Sequence, residues 1–229
     1  YQKMIDKEQY QNKIKKAPYK LTYQTKNHRG VYSFCMCPGG YVINSASENN
    51  SLVVNGMSNY LRDSNTANSA IVVTVSKKDY GEGLFAGVKY QQELEKKAYL
   101  KGNGKIPVEY YQDFLNKKIT KKETDFAILG AYTFTDLNDI LPVTISDSIK
   151  EAMIEFNKKI KNFSDSNPLL AGVETRTSSP IKIIRDEKLE SNIKGIYPCG
   201  EGSGYAGGIT SSAIDGIKVA EEIIKKYYY

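Results

Sequence analysis

The stretch Gly195-Ile196-Tyr197-Pro198-Cys199-Gly200-Glu201-Gly202-Ser203-Gly204-Tyr205-Ala206-Gly207-Gly208-Ile209 combines dense glycine with one carboxylate and leads into a helical pattern. Glycines let backbone N–H groups approach a ligand without a Cβ in the way. The positive end of a helix behind them favours an anion. The chemistry indicated is therefore the binding of a phosphate-bearing ligand, and dinucleotide cofactors are the commonest of that class. The competing reading is an ordinary tight strand-to-helix turn.

Other residues invite chemistry with less support from their spacing. Gly202-Ser203-Gly204-Tyr205-Ala206-Gly207 matches GxGxxG literally, but no second strand with a ribose-binding acid follows it, as a complete nucleotide unit requires. Gly81-Glu82-Gly83-Leu84-Phe85-Ala86 matches GxGxxA, yet Ser76–Tyr80 separates it from the preceding apolar run, so a loop is expected. Cys35 and Cys37 stand one residue apart, which is not the CxxC of thiol redox proteins. They read as half-buried thiols at a strand-end turn or as substrate-facing groups. Zinc binding by Cys35, Cys37, Cys199 and His28 lacks paired ligand spacing. His28 is the sole histidine and has no evident nucleophile partner for general base work. Arg176, among Glu174, Thr175, Thr177 and Ser178, can hold an anionic group or form a structural ion pair with Glu174.

The elements that must position these residues form a mixed α/β (α+β) pattern. The chain has 229 residues, 40% hydrophobic and 25% charged, which favours a packed core over disorder. Its net charge of +6 is spread in short lysine clusters broken by acids, as on a solvated surface, so no nucleic-acid partner is expected. No membrane-spanning run and no secretory leader are expected, and three cysteines do not make a disulfide scaffold. A soluble, reducing, cytoplasmic setting follows as the default.

Residues 1–29 read as a polar arm, a short helix or an extended segment. Val31–Val75 carries strand signals joined by hairpins, with Ala70–Val75 continuous enough for a buried central strand. Helices are expected over Phe85–Leu100, near Val108–Leu115, and after a cap at Ser146 or Asp147, with Ile149, Met153, Phe156, Ile160 and Phe163 as a core stripe. Ile181–Ile184 and Ile193–Tyr197 read as strands. A last helix over about 208–226 has Ile209, Ala213, Ile217, Ala220 and Ile224 as its apolar stripe.

Five segments, in order, carry a resemblance: Arg29–Gly40, Val53–Ser58, Asn68–Ala70, Gly172–Pro180 and Gly200–Ile209. Together they resemble the C-terminal part of bacterial FAD-dependent dehydrogenases, the NAD(FAD)-utilizing dehydrogenase family, over roughly residues 20–226. The resemblance implies an inserted substrate-type domain at 30–165 and a return to the FAD-binding fold at 166–229. Gly200, Glu201 and Gly202 would then lie against the ribityl chain and pyrophosphate. Gly207, Gly208 and Ile209 would aim the helix N-terminus at the flavin. Cys35, Cys37 and Arg176 are the catalytic candidates it leaves, facing a small-molecule substrate.

The first GxGxxG segment of that family is absent from this sequence. The resemblance thus implies a C-terminal fragment whose partner is the missing FAD-binding segment. FAD would not be retained by the fragment alone, and NAD(P)H is a candidate electron donor. The alternative function is a non-catalytic interaction or oligomerisation domain, with homo-oligomers as one outcome, because a missing half leaves an edge to cover.

Overall fold

The computed structural model describes residues 21–62, 64–122 and 127–228; the side chain of Phe34 is not described. The arm expected over residues 1–29 lies outside the described residues as far as residue 20. Leu21–Gln24 is a strand, and residues 25–29 turn into the next one. The fold is α+β, and the chain divides into two compact units, residues 1–75 with 92–175, and residues 76–91 with 176–229.

The first unit is built from three small sheets. β1 (Leu21–Gln24), β2 (Gly30–Pro38) and β5 (Ala67–Val73) form an antiparallel sheet in the order β1-β2-β5. β3 (Gly40–Asn44) pairs antiparallel with β4 (Val54–Ser58) and parallel with β7 (Ile128–Leu129). β6 (Ile106–Tyr110) pairs parallel with β8 (Tyr132–Phe134) and antiparallel with β9 (Leu169–Ala171). The buried cluster includes Leu21, Val31, Leu52, Leu94, Ile106, Val108, Phe114, Met153 and Phe156.

Two α-helices lie wholly in this unit among the described residues. α3 (Tyr111–Asn116) follows β6 directly, and α4 (Val143–Lys159) packs against β1, β2 and β5. At that junction the Tyr23 hydroxyl and the Lys26 N–H both donate to Glu151 Oε1, at 2.8 and 2.9 Å. Phe156 meets Phe163 edge-on at 5.7 Å between ring centres; of the expected stripe Ile149, Met153 and Phe156 lie on α4, while Ile160 and Phe163 follow its end.

Several expectations are corrected. The turn at Gly39 does not make a hairpin of β2 and β3; they enter different sheets, and β2 takes β5 as its neighbour. Ala70–Val75 supplies most of β5, which is half-buried and sits at the edge of its sheet among the described residues, not at the centre. The helix expected near Val108–Leu115 starts only at Tyr111, because Ile106–Tyr110 finds strand partners on both sides. α4 begins at Val143, three residues before Ser146, which is buried inside it, and Pro142 stands at its cap. Proline tolerates that position, having no N–H to lose.

The second unit holds little regular structure apart from helices. α1 (Lys77–Tyr80) carries a capping box between Ser76 and Asp79. The Gly81–Phe85 segment is a loop, as expected, and opens α2 (Ala86–Gly102), whose first turns belong to this unit. The strands expected at Ile181–Ile184 and Ile193–Tyr197 do not form. Both segments lack a ladder partner among the described residues, and only an isolated bridge, Arg185 with Ser191, occurs between them.

The unit ends on α5 (Ile209–Tyr227). Its expected apolar stripe faces outward: Ile209 is 91% exposed, Ile217 60% and Ile224 54%, while the buried residue is Val219. The helix itself sits where the periodicity put it. Its apolar side is simply not covered by the described residues of the unit.

Candidate functional site

The glycine-rich elbow spans Pro198–Ile209 in the second unit, and its shape follows from two left-handed residues. Gly200 (φ 72°) and Gly204 (φ 82°) sit where a side chain is strained. Between them Gly204 N–H donates to Glu201 O (2.9 Å) and Tyr205 N–H to Gly200 O (3.0 Å). A Cβ on Gly204 would strike the Ile181 carbonyl oxygen and come within 3.0 Å of Lys182 Cα. The buried Ser203 hydroxyl donates to Gly200 O, and the Ser179 hydroxyl lies 3.1 Å from Gly202 O.

The elbow is fixed to α5 by an ion pair. The Arg185 guanidinium binds Asp215 bidentately, Nη1 to Oδ2 at 2.9 Å and Nη2 to Oδ1 at 2.7 Å. Both side chains are largely buried, at 10% and 13% exposure. Asp215 Oδ2 also accepts from Gly200 N–H (2.9 Å), and Arg185 Nη1 donates to Pro198 O (2.8 Å). The guanidinium stacks 3.6 Å from the centre of the Tyr205 ring. The Arg185 pairing holds the Asp215 carboxyl down to about 2. Neither Arg185 nor Asp215 stands out in the sequence. A pair thirty positions apart leaves no local spacing to read.

The remaining elbow residues leave room. No atom lies within 4 Å of a Cβ built on Gly202 or Gly207, and a Cβ on Gly208 meets only Ser211 Oγ, at 3.7 Å. Gly208 caps α5 without a side-chain hydrogen bond, so the first-turn N–H groups keep the orientation that suits an anion. Open backbone, an uncapped 19-residue helix and the Glu201 carboxylate fit a phosphate-bearing cofactor such as FAD. The residues expected from the sequence, Gly200, Glu201, Gly202, Gly207, Gly208 and Ile209, all lie on this elbow, but the Gly200 N–H donates to Asp215 and a Cβ there would meet Ser212 Cβ at 3.6 Å.

The catalytic candidates are divided between the units. Cys35 and Cys37 lie in the first, at the end of β2, where the register with β5 shifts between positions 34 and 37 and Cys35 adopts φ 48°. Cys35 is exposed and Cys37 half-buried. Arg176 is exposed and opens the second unit's return segment. Among the described residues no three His, Cys, Asp or Glu side chains gather as a metal site would need. No helix of the described residues is long and apolar enough to cross a membrane.

The model of the family described as "FAD-dependent protein, C-terminal domain-like" matches residues 1–177, which take in all of the first unit and residues 76–91 and 176–177 of the second and stop before the elbow. A Clostridium beijerinckii (strain ATCC 51743 / NCIMB 8052) protein, itself uncharacterised, is 46% identical over 238 residues covering 99% of this chain. The chain spans 45% of that relative's length. By a match over more than half its residues, the chain belongs to the FAD-dependent protein, C-terminal domain-like family.

Proposed function

We propose that this chain is the C-terminal part of an FAD-dependent oxidoreductase of the dehydrogenase type, supplying the substrate-side domain and the closing part of the flavin site. The observation that supports the reading is the Pro198–Ile209 elbow: open space at Gly202 and Gly207 and an uncapped helix start, riveted by Arg185 and Asp215. FAD, when bound, supplies transfer of a hydride or electron pair. The protein's own part is to hold it. Gly202 admits its backbone-facing edge while Gly200 shapes the turn beside it, Glu201 accepts hydrogen bonds from ribityl hydroxyls, and the α5 N-terminus at Gly207–Ile209 stabilises negative charge. NAD(P)H is the proposed electron donor, and Arg176 a proposed contact for an anionic substrate group.

The test is to purify the protein with its upstream half, reconstitute it with FAD and record the visible spectrum before and after NADPH or NADH. Retained flavin that bleaches with a donor is expected. Complete absence of flavin absorption overturns the proposal. A second reading, an interaction or oligomerisation domain, is favoured by one observation, the outward apolar side of α5. A flavin-free protein that assembles through that helix would establish it instead.

A further inference from the structure

The two cysteines of β2 stand one residue apart, and the strand is irregular between them. Phe34 faces Ala70 and Cys37 faces Asn68 across the β2–β5 ladder, so β2 carries one residue more than β5 over that stretch. That is a bulge, and Cys35 takes its left-handed position with φ 48°. In a regular strand alternate Cα atoms lie about 6.6 Å apart, near the longest span a disulfide closes. A left-handed residue turns the chain back and shortens that span. The Cys37 thiol already lies against its neighbour, donating to the Cys35 carbonyl oxygen at 3.6 Å.

The two thiols have unlike surroundings. Cys37 is half-buried, and its sulfur is held in place. A Cβ on Gly56 of β4 would touch Cys37 Sγ at 3.4 Å, a Cβ on Gly40 of β3 would come within 2.7 Å of Cys37 Cβ, and the Ser58 side chain hydrogen-bonds the sulfur. Glycine at 40 and 56 is what lets those two backbones lie so near. Burial, the largest influence, raises the Cys37 thiol above its ordinary range; Ser58 and Arg62 oppose it and Glu174 adds to it. Cys35 is exposed, and its side chain can turn in solvent. The thiolate is the form that attacks a disulfide, so a dissolved reagent meets the exposed member first and the sheltered one follows.

We propose that Cys35 and Cys37 form a thiol–disulfide exchange site for small disulfides of the glutathione class, Cys35 opening the exchange and Cys37 completing it. The Cys35 thiolate attacks one sulfur of the small disulfide, forming a mixed disulfide and releasing one thiol. The Cys37 thiolate then attacks Cys35 Sγ, the second thiol leaves, and a Cys35–Cys37 bond remains. Two protons and two electrons pass from the cysteines to the small disulfide, which becomes two thiols. Met36 is the one residue spanned, so the ring is small and its bond is readily reduced, as in a site that turns over rather than a structural staple. The site lies in the first unit alone and does not depend on the flavin reading.

Oxidised glutathione tests it on the full chain. Cleavage after Arg29 and Arg62 releases both cysteines in one peptide and leaves Cys199 in another. At about 1 mM reagent and about pH 8, mass spectrometry should find that peptide lighter by a pair of hydrogens and without glutathione, while Cys199 carries glutathione. In Cys37→Ser, Cys35 should retain glutathione instead. In Cys35→Ser, Cys37 should take up glutathione at least about tenfold more slowly than Cys35 does in Cys37→Ser. Reduced glutathione at about 10 mM should restore both thiols.

Glutathione persisting on Cys35 in the unaltered chain, a bond between two chains, or a peptide of unchanged mass overturns the exchange site. Equal rates in the two variants overturn Cys35 as its entry. A bond that outlasts reduced glutathione overturns its turnover. Should either variant fail to fold by circular dichroism, the mass of the unaltered peptide and its recovery under reduced glutathione decide alone.

Discussion

At the scale of single residues, the informative groups are carboxyls in unlike surroundings. Glu109 is 1% exposed; its Oε2 accepts from Leu137 N–H at 2.9 Å and its Oε1 has no partner among the described residues. Burial, with smaller contributions from Asp136 and Asp113 and relief from the Leu137 N–H and from Lys150, lifts its carboxyl from 4.5 to about 7. The unfolded chain therefore releases this proton first. Stability is full below pH 4.5 and falls as pH rises through 7, by about 3 kcal/mol at most. Glu109→Gln should flatten that fall, giving a higher melting temperature than the parent at pH 8 and little difference at pH 4.5 in thermal unfolding.

Asp215 runs the other way. Arg185 holds its carboxyl down from 3.8 to about 2, so its contribution is present above pH 3.8 and is lost as pH drops through 2. Asp215→Asn should cost about 2 kcal/mol at pH 7 in urea unfolding of the second unit, and nothing extra at pH 2. Neither carboxyl could be ranked from the sequence. Glu109 sits in Ile-Pro-Val-Glu-Tyr like any strand residue, and its burial depends on β8 and β9 closing over both edges of β6.

At the scale of elements, the elbow separates glycines needed by the fold from those that leave space. Gly204→Ala should destabilise the second unit by about 1–3 kcal/mol, because its left-handed φ and the Ile181 carbonyl both oppose a methyl group. Gly207→Ala meets no atom within 4 Å and should leave the melting temperature unchanged, yet weaken FAD retention in the full-length protein about tenfold under the proposed function. An unchanged flavin affinity in Gly207→Ala would remove that glycine from the site.

Helical elements are legible because their signals are local. α5 and the stripe of α4 follow from spacing alone, and so does the position of the glycine elbow. Strand partners are not legible. Which of β3 and β5 sits beside β2 is decided by contacts dozens of residues apart, and the strand-like runs Ile181–Ile184 and Ile193–Tyr197 remain irregular because neither finds a strand ladder among the described residues, only single bonds such as Ile183 N–H to Ser203 O.

At the scale of the whole molecule, the outward side of α5 is the feature to explain. Ile209, Ile217 and Ile224 lie on it, and Ile183 and Ile184 are also exposed in the same unit. Periodicity finds these isoleucines but assigns them inward. Regular apolar spacing says that a helix has a side to bury, not that the partner is present. The chain on its own should therefore bind an apolar dye and self-associate, both reduced by Ile217→Lys, in sedimentation and fluorescence measurements. Under the proposed function, the same substitution in the longer flavin-binding protein should instead release flavin or lower solubility. A monodisperse, dye-silent chain would speak against a partner for this side.

The planar fork of Arg185 has one more consequence. It occupies both oxygens of Asp215 and reaches the Pro198 carbonyl while lying flat on Tyr205. Lysine, with a single point of charge and no plane, cannot make these contacts together. A swap that conserves charge would thus unlatch the loop as thoroughly as deletion. Because the pair is shielded from water, brine that dissolves the surface link between Lys226 and Glu190 should leave this clasp closed.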